Sequence, residues 1–115
     1  MTTRTPEQAV QHQLDAYNAH DLARFLEVYA DDVVVYRLPS KVPAFSNFAQ
    51  LAEFYRTERF NLPELRADLV NRIVVGNVVI DHERVHGVRD RPFEVAASYQ
   101  VVEGRIRSVL FFSGD

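Results

Sequence analysis

Two long runs of strand-forming residues, 65–75 and 78–86, are separated only by Gly76-Asn77. Glycine and asparagine accept the positive φ angles of a tight antiparallel turn, so this spacing predicts a β-hairpin. The turn then dictates the register. Val75 lies opposite Val78, Ile73 opposite Ile80, Asn71 opposite His82 and Leu69 opposite Arg84 on one face. On the other, Val74 meets Val79, Arg72 meets Asp81 and Val70 meets Glu83. An opposite-charge cross-strand pair suits a solvated or interface face. Arg72 and Asp81 are therefore predicted outward, and Leu69, Ile73, Val75, Val78 and Ile80 inward. His82 and Arg84 go in with them, and His86 continues the row.

A second hairpin is expected from 93–101 and 105–112, with Val102-Glu103-Gly104 as a three-residue loop and Gly104 left-handed. That loop length puts Val95, Ala97, Tyr99 and Val101 inward with Val109 and Phe111. It turns Ile106, Leu110 and Phe112 to the outer face. With no helix left to cover that face, it is a candidate homodimer interface.

The helices precede the hairpins. Thr5-Pro6-Glu7-Gln8 combines an N-cap threonine, a proline at the first helical position and a glutamine placed to close a capping box. The stripe Val10, Gln13, Leu14, Tyr17 follows at helical spacing, carrying two polar groups onto the core face. Asp21 caps a second helix with Leu22, Phe25, Leu26 and Tyr29 inside. Residues 33–38 read as a strand ended by the proline-containing stretch 39–43, and Asn47 with Gln50 starts a third helix bearing Phe48, Leu51, Phe54 and Tyr55. Helices followed by long hairpins point to an α+β fold, and 115 residues without a linker-like segment point to a single domain, 1–115.

Composition narrows the chemistry. The net charge is −3 and the basic residues are scattered from position 4 to 107, which is no footprint for nucleic acid. No apolar run approaches the roughly 20 residues of a membrane span, and the first residues lack the apolar stretch of a signal peptide, so a cytoplasmic protein without membrane partners is expected. The absence of cysteine removes thiol nucleophiles, disulfides and sulfur-ligated metals. His82 and His86 sit two apart on one strand, but Asp81 and Glu83 point away from them; no metal site and no cofactor are expected.

Tyr17-Asn18-Ala19-His20-Asp21 followed by Tyr29-Ala30-Asp31-Asp32-Val33, with Glu53-Phe54-Tyr55 in the third helix and Gly104-Arg105-Ile106 near the end, resembles SnoaL-like polyketide cyclases and ketosteroid isomerases of the nuclear-transport-factor-2-like superfamily. The resemblance implies a cone-shaped, strongly curved antiparallel sheet wrapped around the N-terminal helices, a cystatin-like α+β barrel with an internal pocket. The isomerases use an Asp base and an oxyanion hole of Tyr plus a protonated Asp; the matching positions here hold Arg37, Gln13 and Ala97. Glu83-Arg84-Val85-His86 is similar to the Glu-Arg-x-Asp segment of limonene-epoxide hydrolases, with Arg84 kept and His86 replacing the Asp.

These positions make His82, Arg84 and Arg37 the candidate catalytic residues, with the histidine moving a proton and the arginines holding a carboxylate or enolate. Gln13, Tyr17, Phe54, His86, Tyr99 and Phe111 are the candidate ligand contacts. The expected partner is a small anionic or carbonyl-bearing molecule, handled by an isomerase-, cyclase- or epoxide-hydrolase-like enzyme with altered site residues. Two alternatives remain: a non-catalytic domain that binds a small hydrophobic acid, and a dimerisation domain whose core is filled.

Overall fold

In the computed structural model, which describes residues 3–113, the chain opens with helix α1, Pro6–Asn18. Positions 1–2 and 114–115 of the domain expected from sequence lie outside the described residues. The predicted capping box is present: Thr5 Oγ1 accepts from the Gln8 amide at 3.1 Å, and Gln8 Oε1 accepts from the Thr5 amide at 2.9 Å. The apolar stripe is used as its spacing requires, burying Ala9, Val10, Gln13, Leu14 and Ala16.

A short helix α2, Leu22–Leu26, follows, then strand β1, Tyr29–Arg37, and helix α3, Phe48–Glu58. The two hairpins are β2, Arg66–Val75, with β3, Val78–His86, and β4, Phe93–Val102, with β5, Arg105–Ser113. The curved five-stranded sheet has the order β1-β5-β4-β3-β2. Its hairpins are antiparallel as expected, but β1 joins β5 in parallel, so the sheet is mixed. Among the described residues no helix is long and apolar enough to cross a membrane.

The junction Asn18-Ala19-His20-Asp21 works as a clasp. The Asn18 side chain donates to the Ala67 carbonyl at 2.9 Å and accepts from the Ala67 amide at 2.8 Å, bonding β2 as a neighbouring strand would. His20, at φ 57°, donates to the Leu65 carbonyl at 2.7 Å, while Asp21 Oδ1 accepts from the Arg24 amide to cap α2. Tyr29, placed by sequence on the second helix, instead begins β1 and is buried there.

The first hairpin keeps the predicted register from Val75↔Val78 to Asn71↔His82, then a bulge at Val70 shifts it to Leu69↔Glu83 and Asp68↔Arg84. Its orientation is the reverse of the expectation. Val79, Asp81, Glu83 and Val85 face the interior, and Ile73 and Val75 are 52% and 65% exposed. The reason is the charge pair itself. Arg72 binds Asp81 bidentately, Nε to Oδ1 at 2.7 Å and Nη2 to Oδ2 at 3.0 Å, and Nη1 donates to Gln11 Oε1 of α1 at 2.8 Å. With its hydrogen-bonding capacity met under the helix, the pair tolerates burial.

In the second hairpin the turn has two residues, Glu103 and Gly104, both at positive φ, with Val102 paired to Arg105. A bulge at Arg107 follows and returns Val109 and Phe111 to the expected face. Ala97, Tyr99 and Val101 are buried as predicted; Ile106, expected outside, is fully buried. Phe25 anchors the core, with the rings of Tyr17, Tyr29, Tyr55 and Phe60 at 4.7 to 6.0 Å.

Candidate functional site

Between the helices and the concave sheet lies a cavity of about 180 Å³. One water needs roughly 10–15 Å³ of such space, so the cavity has room for a small organic molecule. Its deep part holds Gln13, Tyr55, Glu83 and Tyr99, all buried; its outer part holds the exposed Arg37 and the half-buried Arg59. Phe54, Phe93, Val95 and Phe111 supply apolar wall.

Of the residues singled out from sequence, Gln13, Tyr17, Arg37, Phe54, Tyr99 and Phe111 line this cavity. His82, Arg84 and His86 do not, and the expectation that they point inward is corrected. They share the opposite face of β3, where the His82 imidazole donates to Glu94, Arg84 lies 3.4 Å from Glu94 Oε2, and His86 Nε2 donates to Asp68 Oδ2 at 2.9 Å. The hydrogen bond from His82, with a smaller part from Arg84, holds the Glu94 carboxyl below its ordinary range. The cause of the reversal is the buried Arg72 and Asp81 pair: it takes the odd-numbered side chains of β3 inside and leaves the even-numbered ones out.

The same reversal brings in Glu83, which sequence reasoning had placed outward. It reaches the cavity wall from β3 at 7% exposure. Among the described residues no side chain or amide donates a hydrogen bond to its carboxyl. Burial in this setting favours the protonated form and pushes the carboxyl from 4.5 up to about 7; the buried Asp81 two residues away adds to the rise, and Arg72 opposes it. Tyr55 and Arg59 were also missed as site residues. Tyr55 was legible only as part of an apolar helix stripe, and nothing in the sequence around Arg59 marks it.

Gln13 joins two phenols: its amide Nε2 donates to Tyr99 Oη and its Oε1 accepts from Tyr29 Oη, both at 3.4 Å. Burial raises the proton affinity of Tyr17, Tyr29 and Tyr99 and pushes Tyr55 up to about 12. All four phenols therefore stay neutral near pH 7 and remain able to donate. Arg37 and Arg59 each stack on Phe54, with guanidinium carbon to ring centroid distances of 4.9 Å. A carboxyl poised near neutrality beside neutral phenols and fixed cations can move a proton and steady a developing negative charge. Among the described residues no three His, Asp or Glu side chains converge on a metal-binding position.

The profile of the SnoaL-like domain matches residues 10–109. The chain belongs to the SnoaL-like family. This SnoaL-like chain is similar in structure to an uncharacterized cystatin-fold protein from Novosphingobium aromaticivorans, with 19% identity, 95% of this chain and 98% of that one covered, and a TM-score of 0.82. It is similar also to an NTF2-like protein of unknown function from Burkholderia xenovorans, with 14% identity, 96% and 83% covered, and a TM-score of 0.81. A third likeness is to an LEH-like epoxide hydrolase from M. tuberculosis, with 16% identity, 94% and 81% covered, and a TM-score of 0.78. No curated protein matches the chain in sequence. Proteins of this fold include isomerases, cyclases and epoxide hydrolases. Identities this low carry the fold and leave the chemistry to the residues themselves.

Proposed function

We propose that this SnoaL-like chain is an enzyme that moves a proton on a small carbonyl-bearing compound, with Glu83 as the general base and acid. The observation that carries this reading is the Glu83 carboxyl, buried on the cavity wall without a hydrogen-bond donor among the described residues. In its ionised form it takes a proton from the carbon beside the carbonyl. The electron pair moves onto the carbonyl oxygen, which accepts a hydrogen bond from a cavity phenol, Tyr55 or Tyr17, and the carboxylic acid then returns the proton to carbon or oxygen. A carboxyl that changes state near pH 7 suits both halves of that cycle.

The test is deuterium exchange at C3 of phenylpyruvate in D2O, followed by NMR after subtraction of the uncatalysed rate. Exchange should rise with pH through about 7, where Glu83 ionises, and Glu83→Gln should lower the rate constant about 10²- to 10⁴-fold. A flat profile, or a glutamine variant as fast as the parent, would refute the reading.

The same proposal includes a homodimer formed through the outer sheet face, supported by the exposure of Ile73, Val75 and Phe112 there. Sedimentation at micromolar concentration should give twice the 13.2 kDa chain mass, and Ile73→Glu combined with Val75→Glu should give the single chain. A monomeric parent would remove this part.

A further inference from the structure

We propose that Arg37 and Arg59 form an anion subsite in the outer part of the cavity, which takes the carboxylate of an apolar carboxylic acid whose reacting carbon lies toward Glu83. The inference rests on the proton-transfer reading only for the second half of that statement; the subsite stands on its own observations. The two guanidiniums come from separate elements, Arg37 from the end of β1 and Arg59 from the residue after α3. They converge because both stack on one ring, Phe54, at the same 4.9 Å. Their carbons are therefore no farther apart than twice that distance.

Among the described residues neither guanidinium meets a carboxylate, although Arg56, Arg66, Arg72, Arg84 and Arg107 all do. Arg59 Nη1 donates to its neighbour's carbonyl, Glu58 O, at 2.7 Å, which leaves the rest of that donor fork unspent. Both charges bear on the Tyr55 phenol, favouring its ionised form against the effect of burial. Their fields therefore reach into the cavity as well as outward to solvent. Two like charges held against one aromatic ring repel, and an anion accepting from both removes that repulsion while using their free donors.

The remaining lining states what the anion is attached to. On the sheet Phe111 stands beside Arg37 and Val95 beside Glu83, and Phe54 and Phe93 line the same cavity. The body of the ligand is therefore apolar and uncharged, and a second negative charge at the deep end would meet Glu83 itself. Arg89 stacks on Phe93 at 4.0 Å and lines the same cavity.

The experiment compares phenylacetate with phenylacetamide, equal in shape and different in charge, by ligand-observed NMR titration. Parent, Arg37→Met, Arg59→Met and Glu83→Gln chains are each titrated at low salt. The parent should bind the acid at least tenfold more tightly than the amide. Each methionine variant, which keeps an apolar stem, should lose about 10- to 100-fold for the acid and leave the amide within about threefold. Arg37→Lys and Arg59→Lys keep the charge and should retain most of the preference; a preference lost equally in the lysine and methionine variants would mean disturbed packing and would overturn the charge argument. Equal binding of acid and amide by the parent overturns the subsite, as does failure of both to bind at 10 mM, or methionine variants that bind the acid as the parent does.

The Glu83→Gln chain separates the two proposals. An acid preference that survives there together with lost exchange supports both. A preference that survives with exchange undiminished sinks the proton-transfer reading alone. A preference absent from the parent, with exchange still dependent on Glu83, sinks the subsite alone.

Discussion

Replacing Glu83 by glutamine should change how stability responds to pH. The folded carboxyl keeps its proton up to about 7, whereas an ordinary glutamic acid, as in the unfolded chain, releases it near 4.5. Between those values the folded state binds more protons than the unfolded one, so this group's contribution to stability falls as pH rises. It is neutral below 4.5, where both states are protonated, and reaches its full cost above about 7, where both are ionised. At about 1.36 kcal/mol for each tenfold in proton affinity, that cost comes to about 3 kcal/mol. Glutamine has no proton to lose. Whatever the buried amide gains or loses in packing is the same at every pH, and other titrating groups are common to both chains. The stability of the variant minus that of the parent should therefore climb by about 3 kcal/mol between pH 4.5 and 7.5. Urea unfolding at half-unit pH intervals, with chain concentration and ionic strength fixed, measures it. A difference constant to within about 0.5 kcal/mol across the window, or one of opposite slope, would refute the assignment of Glu83 as a buried, weakly solvated acid.

Arg72→Met should destabilise the chain by about 3–5 kcal/mol, because it leaves Asp81 buried and uncompensated, and Arg72→Met with Asp81→Leu should recover most of the loss; denaturant midpoints of the single and double variants decide it. Gly87→Ala should cost about 1–3 kcal/mol, since Gly87 sits at φ 83° and an added Cβ would lie 2.2 Å from the Glu64 carbonyl oxygen. A melting temperature unchanged from the parent would show that this approach of Gly87 to Glu64 is not tight.

Local signals carried much of the fold. The capping box at Thr5, the turn at Gly76-Asn77 and the α1 stripe each depend on a few neighbouring residues, and each formed as the sequence implied. The facing of the first hairpin did not, because it is decided at a distance. Gln11 on α1 completes the hydrogen bonding of Arg72, and without that partner the solvated placement of Arg72 and Asp81 is the sound expectation. One inverted strand then moved half the candidate site. Gln13, Tyr17 and Tyr99, positioned by helix periodicity and by the second hairpin, line the cavity; His82, Arg84 and His86, positioned by the first, lie outside it, and Glu83 takes their place. Ile106 was misplaced for a smaller reason: a two-residue turn pairs it with the inward Val101, and the bulge at Arg107 that then restores the faces cannot be seen in a pattern that alternates on both sides of it.

The bulges also bear on how such chains diverge. Three of the four strand pairings carry a register shift, between Tyr29 and Val34, between Leu69 and Asn71, and between Gln100 and Val101. A bulge lets a strand gain or lose one residue while the side chains beyond it keep their faces. Ancestral insertions at such places would be nearly silent in shape yet would slide every later position against a homologue's numbering. Two descendants can then superpose closely while their aligned columns pair a cavity residue in one with a surface residue in the other.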